Sequence, residues 1–236
     1  MPNSYFQFKQ FTVWHDRCAM KVGTDGVLLG AWSSVDKPFS VLDIGTGTGL
    51  IALMIAQRSP DAVIDAIDID REACIQAAEN IERSSFKDRI RIFHRSFQEY
   101  TTEKKYSLIL SNPPYFSDSM KSPDKKRNTA RHNDSLPLKQ LIEHAVTMLS
   151  DDGKIALVLP VTSSGEIDFI LATHRLHTVR RTEVVSIEGL KPKRFLIELS
   201  GKAPPEYTPL TDRLVLTTHE HKRTPQYNDL TKDFYL

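Results

Sequence analysis

The chain has 236 residues, 40% of them hydrophobic, which is enough apolar mass for a real core and excludes a disordered chain. Lys plus Arg number 31 against 30 Asp plus Glu, so the formal charge of +1 gives no global pull toward nucleic acid, and such a partner must be met by a local patch. Two cysteines, Cys18 and Cys74, are too few for a disulfide framework and lack metal-site spacing. The start, Met1-Pro2-Asn3-Ser4, opens no signal peptide, and no apolar run approaches a membrane span. These features suggest a cytoplasmic protein with reduced thiols, no metal and no membrane partner; they leave the oligomeric state open.

Residues 5–14 alternate apolar and polar side chains, with Phe6 and Phe8 on one face, and suggest a hairpin packed on the main body. A helical pattern follows at Val27-Leu28-Leu29-Gly30-Ala31-Trp32, with Thr24 or Asp25 suited to cap it. Ser40 to Gly45 reads as a strand running into Gly45-Thr46-Gly47-Thr48-Gly49, and Leu50 to Gln57 as the helix after it. A dinucleotide fingerprint would place its third glycine at position 50, where the chain has Leu50. Asp43 at the strand end would repel a pyrophosphate but suits a ligand amino group. A nucleoside joined to an amino acid without phosphate, S-adenosylmethionine, meets both conditions, and an NAD-dependent dehydrogenase is disfavoured.

Val63 to Asp68 is the second strand; its terminal Asp68, about 20 residues past the glycine turn, stands where a carboxylate holds ribose hydroxyls. Ile69 follows it, and Asp70 suits the cap of a helix over Arg71 to Arg83. Ile90 to Arg95 is the third strand, with Ser96-Phe97 at its end. Tyr106 to Ser111 is the fourth, and it stops at Asn112-Pro113-Pro114-Tyr115. Two prolines forbid both a continuing ladder and an immediate helix, so a rigid corner carries an amide on one side and an aromatic ring on the other.

A long connection, 116–136, precedes a helix at Leu138 to Leu149. Asp151-Asp152-Gly153 turns into a fifth strand, Ile155 to Leu159, and residues 163–175 form a helix. Thr178 to Ile187 and Arg194 to Leu199 pair antiparallel, because the link between them is too short for a crossover. The count is seven strands in a Rossmann-like, doubly wound α/β sheet, mostly parallel with an antiparallel edge hairpin. We expect one domain over 1–236, with an N-terminal hairpin and covering segment (1–36), a core (37–201) and a packed extension (202–236).

Asp43 to Gly49, Asp68 and Asn112 to Tyr115 together resemble the class I S-adenosylmethionine-dependent methyltransferases that act on planar nitrogens. Phe8-Lys9-Gln10-Phe11, the stretch from His15 to Gly26, and Asp233-Phe234-Tyr235-Leu236 resemble one bacterial branch, the tRNA1(Val) (adenine(37)-N6)-methyltransferases. The resemblance implies cofactor contacts from Gly45, Gly47 and Gly49, from Asp43 near the amino group, from Asp68 at the ribose, and from Ile69. Lys21, Thr24 and Asp25 would cover the methionine end. Ser96 stands where many relatives carry an acid for the adenine amino group, with Phe97 offering backbone and ring.

An adenine N6 is a poor nucleophile because its lone pair is delocalised. Acceptors on both its N–H bonds, the Asn112 amide oxygen and the Pro113 carbonyl, favour a pyramidal nitrogen and absorb the developing charge. Pro114 fixes the corner and Tyr115 would stack on the base. Arg17 and the basic loop residues Lys125, Lys126, Arg127, Arg131 and His132 are candidate RNA contacts, and Lys191, Lys193 and Arg194 are further cations. A glutamine amide fits the same corner, so a protein-glutamine N-methyltransferase or another RNA N-methyltransferase is the alternative. A non-catalytic RNA-binding subunit is the reading from a different class.

Overall fold

The short apolar runs read above as strands share one sheet in the computed structural model, which describes residues 3–18, 20–35, 40–114, 136–203 and 210–236. At the N-terminus, β1 (Tyr5–Gln7) and β2 (Thr12–Trp14) form an antiparallel hairpin. Then come α1 (Thr24–Trp32), β3 (Ser40–Ile44), α2 (Leu50–Arg58), β4 (Val63–Asp68), α3 (Arg71–Glu82) and β5 (Ile90–His94). The chain continues with β6 (Tyr106–Ser111), α4 (Leu138–Met148), β7 (Leu149–Pro160), α5 (Ser164–His174), β8 (His177–Ile187), β9 (Arg194–Ser200), β10 (Leu210–Thr217) and α6 (Pro225–Thr231). The sheet order is β10-β8-β9-β7-β6-β3-β4-β5. Only β9 runs antiparallel to its neighbours; every other pairing is parallel.

Three elements differ from the sequence reading. The sheet has eight strands rather than seven, because β10 leaves the expected extension and pairs with β8. The turn expected at Asp151-Asp152-Gly153 lies inside β7, where the register against β6 shifts between Tyr106 and Leu108. A Cβ on Gly153 would stand 2.7 Å from the Leu149 side chain and 2.9 Å from the Tyr106 carbonyl, so glycine allows this irregularity without ending the strand. Helix α1 begins at Thr24, with Gly23 as N-cap and no side-chain cap, so neither Thr24 nor Asp25 is the cap.

Alternate residues of the central strands enter two separate cores, which is why these strands read as continuous apolar runs. Val41, Leu108, Leu110 and Ala156 face a core with the hairpin, α1, α2, α3 and α6. Leu42, Ile109, Ile155 and Leu157 face the other, with α4 and α5. The two terminal motifs of the branch resemblance meet on the first face. The Lys9 N–H donates to the Phe234 carbonyl at 2.8 Å. Phe8 stacks on Phe11 with centroids 4.8 Å apart and lies 6.1 Å from the Tyr235 ring.

Candidate active site

Parallel strands deliver their carboxyl ends to one edge, and ligands of such sheets bind outside that edge. The glycine turn leaves β3 there. Gly45, Gly47 and Gly49 have φ of 70°, 57° and 80°, a left-handed backbone that side chains disfavour. Their surroundings differ. A Cβ on Gly45 or Gly47 would meet nothing within 4 Å, whereas one on Gly49 would touch Ala77 of α3 at 3.4 Å. The first two glycines therefore open a cradle, and the third lets the turn rest on α3.

Asp43 lies directly beneath the turn and is fully buried. Its Oδ2 accepts the Thr46 hydroxyl at 2.7 Å, and its Oδ1 has no hydrogen-bond partner among the described residues. Burial pushes its carboxyl up to about 7; nearby Asp68 adds to the rise, and the Thr46 hydroxyl and Ala52 backbone oppose it. At the end of β4, Asp68 accepts the Gly47 N–H at 2.8 Å and the Asp70 N–H at 2.9 Å. The Ile69 backbone is a third donor, and a carboxylate with four lone-pair sites still has room to accept from a ligand hydroxyl. Burial again raises its pKa, against the backbone donors. Asp70 caps α3 by accepting the Glu72 N–H, as expected. Ile69, 49% exposed beside Asp68, offers an apolar surface of the kind a purine ring covers.

The corner sits one strand away. Ser111 pairs with Ile44 of β3, and its hydroxyl donates to the Ile44 carbonyl at 2.9 Å. Asn112 is the next residue, level with Gly45 across roughly 5 Å of strand spacing. Asn112 and Pro113 are half-buried and Pro114 is exposed. Tyr115, Lys125, Lys126, Arg127, Arg131 and His132 lie outside the described residues.

Other expected contacts are redistributed. The Phe97 ring is buried among core residues, edge-on to His144 at 4.8 Å, so only its backbone is left for a cofactor. The Ser96 hydroxyl donates to the Gln98 side chain at 2.7 Å. Lys21 and Thr24 are exposed at the start of α1. Asp25 is ion-paired with Arg194 of β9; burial raises its pKa and Arg194 opposes the rise. Asp25 thus anchors the covering segment to the sheet. Arg17 pairs with Glu79 at 3.3 Å, so its charge is already balanced.

Two residues of α3 were not singled out from sequence. Asn80 is buried; its Oδ1 accepts the Trp14 N–H, and its Nδ2 donates to the carbonyls of Trp14 and Thr48, each at 2.9 Å. Gln76, one turn earlier and also buried, accepts the Arg17 N–H at 3.2 Å. Together they tie the segment after the hairpin to the cofactor turn. Their signal was an amide pair at i, i+4 on the helix face that also carries Ala73, Ala77 and Ile81.

An open glycine cradle, a buried acid with an unpartnered oxygen and no ion-paired cation among the described residues, and a second acid at the next strand end fit an amino-acid nucleoside. The fold and this site define a class I methyltransferase. The model of the methyltransferase small domain family matches residues 26–174. A solved structure of a predicted O-methyltransferase from Agrobacterium tumefaciens superposes with a TM-score of 0.69 at 19% identity, covering 89% of this chain and 96% of its own. A ribosomal protein L11 methylase from Lactobacillus delbrueckii subsp. bulgaricus gives a TM-score of 0.53 at 20% identity, covering 74% and 76%.

Full-length relatives narrow the class. A Parabacteroides distasonis protein named tRNA1(Val) (adenine(37)-N6)-methyltransferase is 52% identical over 100% of this chain and 99% of its own length. Proteins of the same name from Bacteroides thetaiotaomicron and Trichodesmium erythraeum are each 45% identical, over 100% of this chain and 99% of theirs. This chain belongs to the tRNA1(Val) (adenine(37)-N6)-methyltransferase family. Among the described residues no helix is long and apolar enough to cross a membrane, and no group of three or more His, Cys, Asp or Glu could hold a metal.

Proposed function

We propose that this enzyme methylates N6 of an adenine in tRNA, the adenine at position 37 beside the anticodon of tRNA1(Val), with S-adenosylmethionine as donor. It acts in the cytoplasm, and residues 1–236 work as one domain. The observation that carries this reading is a register: Ser111 opposite Ile44 sets the planar-nitrogen corner level with the glycine cradle, one strand away. The names of the full-length relatives support the choice of substrate.

When bound, S-adenosylmethionine supplies an electrophilic methyl group on a sulfonium. Gly45 and Gly47 would leave room for it, ionised Asp43 would face its ammonium, Asp68 would accept from its ribose hydroxyls, and Ile69 would lie against its purine. Asn112 Oδ1 and the Pro113 carbonyl accept from the two N–H bonds of the adenine amine. They would favour a tetrahedral nitrogen and stabilise the positive charge that would develop there as its lone pair takes the methyl group and the donor's S–C electron pair returns to sulfur; the nitrogen would then give one proton to water. The prolines hold both acceptors in place, so most of the rate comes from positioning. The base has to leave its loop to reach them, and Tyr115 gives it a stacking surface.

The test offers the purified chain labelled methyl donor with unmodified tRNA, a peptide release factor or duplex DNA. Label in tRNA is expected; label in the release factor alone would turn the reading to a glutamine amide. Asn112→Ala is expected to lower turnover at least ~1,000-fold, on the scale of removing a transition-state acceptor, with cofactor affinity within about twofold. An equal loss of both would contradict the role given to Asn112.

A further inference from the structure

We infer that two loops at the far side of the sheet form a composite basic strip that holds the tRNA phosphate backbone while the adenine enters the site; this rests on the functional reading above. The loops are the β8–β9 connection, 188–193, and the turn between β10 and α6, 218–224. β8 and β10 run parallel to β6, so both end at the edge where Asn112 stands. Arg194, the first residue of β9, pairs with Pro160, the last of β7, at that same edge. β9 is two strands from β6, so the first loop lies roughly 10 Å to one side of the corner.

The two loops are built as one surface. The Glu188 N–H donates to the Thr217 carbonyl at 2.8 Å, and a Cβ on Gly189 would come within 3.2 Å of the His219 ring. The second turn is closed by Thr218 N–H to Lys222 carbonyl, 2.8 Å, and His221 N–H to Thr218 carbonyl, 3.0 Å. Arg223 lies over the Tyr235 ring, its guanidinium carbon 4.2 Å from the centroid, and stays exposed. A guanidinium held this way presents its donors in a fixed direction.

The charge on this surface is available. Lys191 and Lys193 are exposed, and their ammonium groups make no ion pair or hydrogen bond among the described residues. Lys222 pairs with Glu220 at 2.7 Å, a contact open to water and readily exchanged. Glu188 is the other exposed acid of the two loops, so four cations face two carboxylates. Arg17 and Arg194, by contrast, are held by Glu79 and Asp25. A flipped base in a loop needs its stem gripped to one side of the active site, and backbone contacts from cations provide that grip without reading sequence.

The test compares wild type, Lys191→Glu/Lys193→Glu, and the control Lys105→Glu, whose lysine lies at the opposite edge and donates to the Thr147 carbonyl. Unmodified tRNA is titrated by fluorescence anisotropy across a salt series, and cofactor binding is read separately by calorimetry. The double variant is expected to bind tRNA ~10-fold more weakly, with a salt slope lower by about two, while its cofactor affinity is unchanged. Unchanged tRNA affinity and slope in the double variant, or an equal loss in the control, would overturn the strip. Methyl transfer by wild type is a third signal, and its absence with tRNA would overturn the functional reading instead.

Discussion

Asp43 and Glu198 are buried carboxylates in one sheet, 0% and 1% exposed, and their surroundings differ in kind. Glu198 accepts both the N–H and the hydroxyl of Ser34, the latter at 2.8 Å, and Arg180 approaches to 3.5 Å. Arg180 lies 3.7 Å above the Trp32 ring and donates to the Trp32 carbonyl, and the Trp32 indole donates to the Thr182 hydroxyl at 2.8 Å. This cluster fastens the end of α1 to β8 and β9. Asp43 has the Thr46 hydroxyl and the Ala52 backbone beside it, an oxygen without a hydrogen bond, and no ion pair among the described residues. A buried charge with its partners in place fastens the structure. A buried charge without them costs stability, and proteins keep such groups where a ligand supplies what is missing.

The largest effect expected from this contrast is structural. Glu198→Ala leaves Arg180 and the Ser34 donors short of an acceptor, and should lower unfolding stability by about 2–4 kcal/mol in urea titrations. Cofactor affinity of the folded variant should stay near wild type; a large loss would show that this cluster also shapes the site.

Asp43→Asn should do the reverse. The folded pKa of Asp43 is raised to about 7, so its contribution to stability is fully present below the unfolded value near 4 and is lost as pH rises to about 7. The asparagine removes that loss and should stabilise the cofactor-free protein at pH 8 by on the order of 2 kcal/mol. It also removes the charge proposed to face the ammonium, so cofactor affinity at pH 8 should fall ~30–100-fold, the worth of a charged hydrogen bond. Wild-type affinity should rise as pH passes through about 7, and the variant should be flat there. The pKa values of Asp25 and Asp68 are raised as well, so the difference between the two proteins is the readout. A destabilised variant would place Asp43 in the same class as Glu198.

Which of these carboxylates was legible in the sequence follows from chain distance. Asp43 stands beside its glycine turn, and Asp68 ends a strand of apolar residues, so local pattern exposed both, along with β3, β4, β6 and the corner after β6. Glu198 depends on Ser34, 164 residues away, and Asn80 on Trp14, 66 residues away, pairings that only the folded sheet creates. β10 was missed because its first half, Leu210-Thr211-Asp212-Arg213, is exposed at the sheet edge and shows no buried periodicity. Asp25 is a candidate ligand from its place in the covering segment; its ion pair with Arg194, 169 residues on, was not legible there.

The smallest effect tests a residue between the two classes. Asn80 touches the hairpin through Trp14 and the cofactor turn through Thr48. Asn80→Ala removes three hydrogen bonds, but Trp14 is only half-buried, so water replaces part of what is lost and the cost should be about 1–2 kcal/mol. If the amide only fastens the hairpin, cofactor affinity of the folded variant will match wild type, as for Glu198→Ala. If it also holds the carbonyl of Thr48, and with it the φ of Gly47 and Gly49, affinity should fall several-fold while turnover at saturating cofactor is kept. We expect the second result. Thr48 lies between the open glycine at 47 and the packed glycine at 49, and Asn80 is the side chain that fixes this peptide from behind.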